Sequence, residues 1–124
     1  MLEYSKESAM TEKPKIDMTI YNLQANISKT LANPIRLAIL HTLRDCEKSV
    51  NELTDILGIS QSNLSQHLAL MRQMDILKTR KQGTSIYYSV TNPKINQACD
   101  MVREVLIDQL SQRHELSQNY HHKS

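Results

Sequence analysis

From Ser49 to Leu68 the chain carries two helix starts with one helix stop between them. Ser49-Val50-Asn51-Glu52 has the form of a capping box: the Ser49 hydroxyl can take a free amide of the first turn, and Glu52 can reach back to the amide of Ser49. The helix that begins there runs through Val50, Leu53, Ile56 and Leu57. It stops at Gly58, the residue type best suited to the left-handed conformation that closes a helix. After Ile59, Ser60 stands where a second helix needs its cap. Two helices joined by a turn of about three or four residues containing glycine make a helix-turn-helix, whose second helix does the recognition.

The second helix has the side chains for that role. Leu64, Leu68 and Met71 recur at four- and three-residue spacing and form a stripe to be buried, while Gln61, Ser62, Ser65 and Gln66 point elsewhere. No Asp or Glu occurs from Ser60 to Met74. Amides and hydroxyls bond base edges and phosphate oxygens, whereas carboxylates would be repelled by the phosphates. Ser60, Asn63, His67 and Arg72 complete the candidate DNA contacts of this helix, His67 at the core edge or against a phosphate.

Downstream, Leu77 to Lys81 and Thr84 to Val90 are β-prone runs separated by Gln82-Gly83, the pattern of a hairpin. Ile86, Tyr88 and Val90 alternate to face the helices, and the tip collects Arg80, Lys81, Gln82 and Thr84. A basic hairpin after a helix-turn-helix is a wing, with its cations along a phosphate backbone. The segment from Gly58 to Lys94 carries five Lys or Arg and one Asp, a net +4. The whole chain carries only +2, so the remainder is at −2. A basic winged region on an acidic body is the electrostatic footprint of a DNA-binding protein.

A chain of 124 residues supports one modest core. The expected organisation is a tail over 1–15, a single domain over 16–112 and a second tail over 113–124, both tails being polar and without a sustained stripe. Ile16, Ile20, Leu23, Ile27 and Leu31 form an apolar stripe before Asn33 and Pro34, which mark a new helix. After Thr91-Asn92-Pro93 a long helix carries Ile95, Ala98, Cys99, Val102, Val105, Leu106 and Leu110 on one stripe. These two helices flank the DNA-binding core and offer more apolar surface than a compact monomer needs, so a homodimer is expected. The fold class is mainly α with a small β-hairpin: four helices, the hairpin and a fifth helix.

No run approaches the roughly eighteen apolar residues of a membrane span, and Met1 to Lys15 lacks the apolar core of a signal peptide. A cytoplasmic location follows, with Cys46 and Cys99 as free thiols and with no membrane partner. With Gly58 and Gly83 the only glycines, a glycine-rich phosphate loop is impossible, and no Ser, His or carboxylate stands in a nucleophile setting. An enzyme is not expected.

Over roughly Asp17 to Leu110 the chain resembles the ArsR/SmtB family of winged-helix repressors. Leu31 to Leu40 looks like that family's approach to its second helix, Ile59 to Ser65 like its recognition helix, and Gly83 to Val90 like its wing strand. The resemblance implies pairing of the first and last helices across a twofold axis. That symmetry would set two recognition helices about one DNA turn apart on a pseudo-palindromic operator of double-stranded DNA.

The resemblance also implies release by a metal, a metalloid or thiol oxidation, but the familiar ligand positions hold other residues. Thr54 and Ile56 stand where arsenic and cadmium sensors carry thiolates. Asn92, Lys94, Val105 and Asp108 occupy the zinc positions, and a lysine repels a cation. His41 and the neighbourhood of Ile107 take the place of redox cysteines. The remaining candidates are Cys46, made less reactive by flanking Asp45 and Glu47, and Cys99, on an apolar stripe where a thiol behaves as a small hydrophobe. Asp108 with His114, His121 and His122 forms a donor set suited to nickel or zinc. The expected effector is thus a thiol oxidant or a metal, and no resident cofactor is assigned. A winged-helix protein-interaction module and an effector-independent DNA-binding regulator are the competing readings.

Overall fold

The computed structural model describes residues 15–123, and side chains for all of these except 117 and 120–123. Five helices and three strands follow in the order α1 (Met18–Leu31), α2 (Pro34–Thr42), β1 (Lys48–Ser49), α3 (Val50–Leu57), α4 (Gln61–Gln73), β2 (Leu77–Gln82), β3 (Ser85–Val90) and α5 (Lys94–Lys123). Most of the tail expected over 1–15 lies outside the described residues.

Each helix starts where a side chain can satisfy a free amide. Asp17 accepts from the Thr19 amide at 2.9 Å, which leaves Ile16 just before α1. Asn33 Oδ1 accepts from the amides of Ile35 and Arg36, and Pro34 follows at the first helical position. The capping box is complete, with Ser49 N–H donating to Glu52 at 2.8 Å and Glu52 N–H to Ser49 Oγ at 3.2 Å. Gly58 ends α3 at φ +67, its amide bonded to the Thr54 carbonyl at 2.8 Å. Ser60 caps α4, and Asn92 Oδ1 takes the Lys94 amide at the start of α5.

The core gathers Ile39, Leu40 and Leu43 after α2 begins, Leu53 of α3, Leu64, Leu68 and Met71 of α4, and Ile76 with Leu77 at the base of the wing. Asp75 lies between α4 and β2 in the left-handed region at φ 58, a conformation that Asp tolerates better than most residues. Thr91 ties down the far end of the hairpin, its hydroxyl donating to the Asp75 carbonyl at 2.6 Å and its amide to Ile76 at 3.0 Å.

Four expectations change. The sheet has three strands in the order β1-β3-β2, because Lys48 and Ser49 pair with Tyr88 and Tyr87. The hairpin turn is Gly83-Thr84, since Gln82 still pairs with Ser85. Gly83 supplies the positive φ at the first turn position. Ile56 and Ile86 are exposed: Ile56 is on the outer side of α3, and Ile86 has the helix-facing parity but lies beyond the core's edge. Finally, α5 runs unbroken to Lys123, so the backbone over 113–123 is helical and no break marks the boundary expected at Gln112.

Candidate nucleic-acid interface

Burying Leu64, Leu68 and Met71 fixes the rotation of α4, and that rotation leaves Gln61, Ser62, Asn63, Ser65, Gln66 and Arg72 exposed. The helix thus presents amides, hydroxyls and one cation at its free face, without a carboxylate. Ser60 spends its hydroxyl on the cap, accepting from the Asn63 amide at 3.2 Å and lying 3.3 Å from Ser62 Oγ. His67 is turned away from this face. It is half-buried, and its Nδ1 accepts from Arg36 Nε at 3.1 Å. Burial, with the Arg36 charge adding to it, holds the imidazole below the ordinary histidine range.

The strand register divides the wing cations between two faces. Leu77, Thr79, Lys81, Ile86, Tyr88 and Val90 share the side toward the helices, and Lys78, Arg80, Gln82, Tyr87 and Ser89 share the other. Arg80 is committed on that outer face. Its Nε donates to both oxygens of Glu47 at 3.0 and 3.1 Å, its Nη1 donates to Gln82 Oε1 at 2.8 Å, and its guanidinium sits 4.9 Å from the Tyr87 ring centre. Hydrogen bonding by Arg80 holds the Glu47 carboxyl below the usual carboxylate range. Lys81, by contrast, is exposed and makes no ion pair among the described residues. Between α4 and the wing lies a cleft of about 350 Å³ lined by Ser49, Asn51, Gln61, Thr84, Ile86 and Tyr87. It brings Thr84 of the turn and Gln61 of the recognition helix to one concave surface.

The candidate effector residues do not converge. Cys46 is exposed, but the structure alters its expected surroundings: Lys48 Nζ donates to its sulfur at 3.4 Å, and Glu47 is drawn to Arg80. Cys99 is half-buried, and burial, with Asp100 adding to it, pushes its thiol up. Asp108 and His114 are exposed on α5, six residues apart and so on different faces of the helix. His114 Nε2 lies 3.1 Å from Gln118 Nε2. The side chains of His121 and His122 lie outside the described residues. No group of three or more metal-binding side chains occurs among the described residues.

Three residues make contacts behind the site that the sequence did not indicate. Glu47 neutralises the wing arginine, Arg36 holds His67, and Asn96, buried on α5, donates to the Leu40 carbonyl at 2.8 Å. All three act across long sequence separations, for which spacing gives no signal.

A helix-turn-helix whose polar recognition face adjoins a hairpin wing defines a winged-helix DNA-binding protein. The chain belongs to the arsR family of bacterial regulatory proteins, which residues 33–79 match. It is a DNA-binding transcriptional regulator and not an enzyme. It is 38% identical over 95 residues to an uncharacterised helix-turn-helix transcriptional regulator of Mycobacterium tuberculosis, covering 76% of this chain and 83% of the relative. The crystal structure of that protein superposes with a TM-score of 0.70 at 37% identity, over 78% of this chain and 98% of that one. The biofilm growth-associated repressor of Xylella fastidiosa is 37% identical over 91 residues, 73% of this chain and 80% of the relative. The structure of HlyU from Vibrio cholerae matches at a TM-score of 0.66 and 32% identity, covering 72% of this chain and 97% of that chain. HlyU is named a transcriptional activator.

Proposed function

We propose that the chain is a cytoplasmic, homodimeric repressor that reads a pseudo-palindromic operator through Gln61, Ser62, Ser65 and Gln66. Lys81 and Thr84 of the wing then lie along the phosphates, with Arg80 bracing the wing against Glu47. The observation that carries this reading is the pairing of a polar α4 face with unburied apolar surface on two other helices. Ile20 is 63% and Leu23 56% exposed on α1, and Val102 is 71% and Leu106 51% exposed on α5. These side chains border one groove between α1, α2 and α5, and a second copy of the chain would cover it. The name of the Xylella relative supports repression.

An effector releases the operator by favouring a DNA-free conformation, and Cys46 or Cys99 is its candidate contact, since Asp108 and His114 lie on different faces of α5. Activation is the second reading, favoured by the name of the Vibrio relative. Among the described residues no helix is long and apolar enough to cross a membrane. The test is selection of a duplex from a random library, followed by mobility shift, sedimentation of the free protein and transcription from a promoter carrying the selected site. A selected duplex with twofold symmetry, a dimeric free protein and lowered transcription are expected. A monomer bound to an asymmetric site would overturn the dimer reading, and raised transcription would replace repression by activation.

A further inference from the structure

One guanidinium joins three helices. Arg36 of α2 donates from Nε to His67 Nδ1 on α4 at 3.1 Å and from Nη1 to the Thr30 carbonyl in the last turn of α1 at 2.8 Å. Thr30 is itself buried, its hydroxyl bonded back to the Asn26 carbonyl at 2.9 Å. The Arg36 amide is also held, by the Asn33 cap at 3.2 Å, so the base of the arginine is fixed to the start of α2. We infer that Arg36 is the positioning residue of the recognition helix, holding α4 through an uncharged His67 to the end of α1, so that discrimination among DNA sequences depends on this contact. The inference rests on the DNA-binding reading and adds to it a residue that does not touch DNA.

The chemistry fixes the protonation state. Arginine has donors and no acceptor, so His67 Nδ1 can receive its bond only as a lone pair, with the ring proton on Nε2. Adding a proton to Nδ1 removes the acceptor and sets a second cation against the first. The guanidinium meets α1 at the neutral Thr30 carbonyl, and Leu53 of α3 and Leu77 of β2 share the apolar core with Leu64, Leu68 and Met71 of α4. Among the described residues Arg36 is the charged group that acts on His67. Because the imidazole is held below its ordinary range, the contact is fully present above that range. It is lost as pH falls through the depressed folded value. α1 is also one of the two helices with an unpartnered apolar face, so the same guanidinium connects that face to the helix that reads DNA.

The experiment uses the full chain, a duplex selected from a random library by the wild-type protein, and a random-sequence duplex. Arg36→Gln should lower the ratio of selected to random binding by about tenfold while leaving random binding in place, within the range by which coupling residues act. His67→Gln supplies an amide oxygen that can still accept from Arg36 but cannot take a proton. It should bind as wild type above the ordinary histidine range and keep its selectivity as pH falls, whereas wild type loses selectivity below that range. In parallel, imidazole NMR should show His67 neutral with the proton on Nε2, titrating closer to an ordinary histidine in Arg36→Gln. Equal selectivity of Arg36→Gln and wild type, or identical pH profiles for wild type and His67→Gln, would overturn the inference while leaving DNA binding intact. Failure of the wild-type protein to select any duplex would remove the DNA-binding reading and the inference with it. An unfolded Arg36→Gln, detected by circular dichroism, leaves the pH comparison with His67→Gln to decide.

Discussion

Gln61 and Ser65 carry the clearest consequence of how α4 is seated, because both stay exposed when its apolar stripe is buried. Replacing both with Ala removes hydrogen bonds assigned to base edges, each worth about 1–3 kcal/mol of discrimination. Binding to a selected duplex should fall far more than binding to random DNA, and an equal fall would reduce these residues to phosphate contacts. In the wing, Lys81→Ala should flatten the slope of log affinity against log salt by about one, the loss of a single phosphate contact. Arg80→Ala should leave that slope unchanged, and Glu47→Gln should steepen it by about one by freeing the guanidinium for a phosphate. A flattening by Arg80→Ala equal to that of Lys81→Ala would mean that Glu47 gives way on the DNA. The side chains of this face are legible in the sequence because helical periodicity decides which of them point outward. The partners of Arg80 and His67 are not, since Glu47 is 33 residues from Arg80 and Arg36 is 31 from His67.

Among the elements, the two ends of α3 are where sequence signal and structure coincide, from the capping box at Ser49 to the left-handed Gly58, although Ile56 between them turns outward. Ser49→Ala should cost about 1 kcal/mol, read as a lower denaturant midpoint at unchanged slope. The carboxyl of Glu52 is held below its usual range by the Ser49 amide. Its contribution is therefore present above the ordinary carboxylate pKa and disappears as pH falls through the depressed one. Gly58→Ala isolates the backbone, because a methyl built there meets no atom within 4 Å. The left-handed conformation alone should cost about 1–2 kcal/mol, and Gly58→Asn should cost less. A neutral Gly58→Ala would show that the turn relaxes out of the left-handed region. Two elements escape local reasoning for different reasons. β1 has only Lys48 and Ser49, too short for any alternation, and exists through its pairing with Tyr87 and Tyr88. The last turns of α5 have polar residues around Arg113 and His114 that interrupt the apolar stripe, yet the backbone continues as helix without it.

For the whole molecule, the decisive quantity is how the unburied faces of α1 and α5 are covered. One core is formed by Leu31 at the end of α1 with α2, α3, α4 and the base of the wing, while Ile20, Leu23, Val102 and Leu106 remain outside it. Their positions follow from the stripes legible in the sequence, but a stripe states only that a helix face seeks an apolar partner. It does not say whether that partner is the chain's own core or another copy, and α5 shows both outcomes: Ile95 and Cys99 pack on the core while Val102 and Leu106 do not. Placing a charge on both exposed faces separates folding from association, because neither Leu23 nor Leu106 belongs to the core. Leu23→Glu combined with Leu106→Glu should therefore keep the helical content and thermal transition of the isolated fold and sediment as a monomer. Joining two half-site contacts in one particle raises avidity by about 10² to 10⁴, so affinity for a selected twofold site should drop by roughly a hundredfold or more. Binding to random DNA, which a single recognition helix and wing can make through phosphates, should fall much less. A double variant that still sediments as a dimer would show that these two faces do not form the interface, and would move the symmetry axis elsewhere on the molecule.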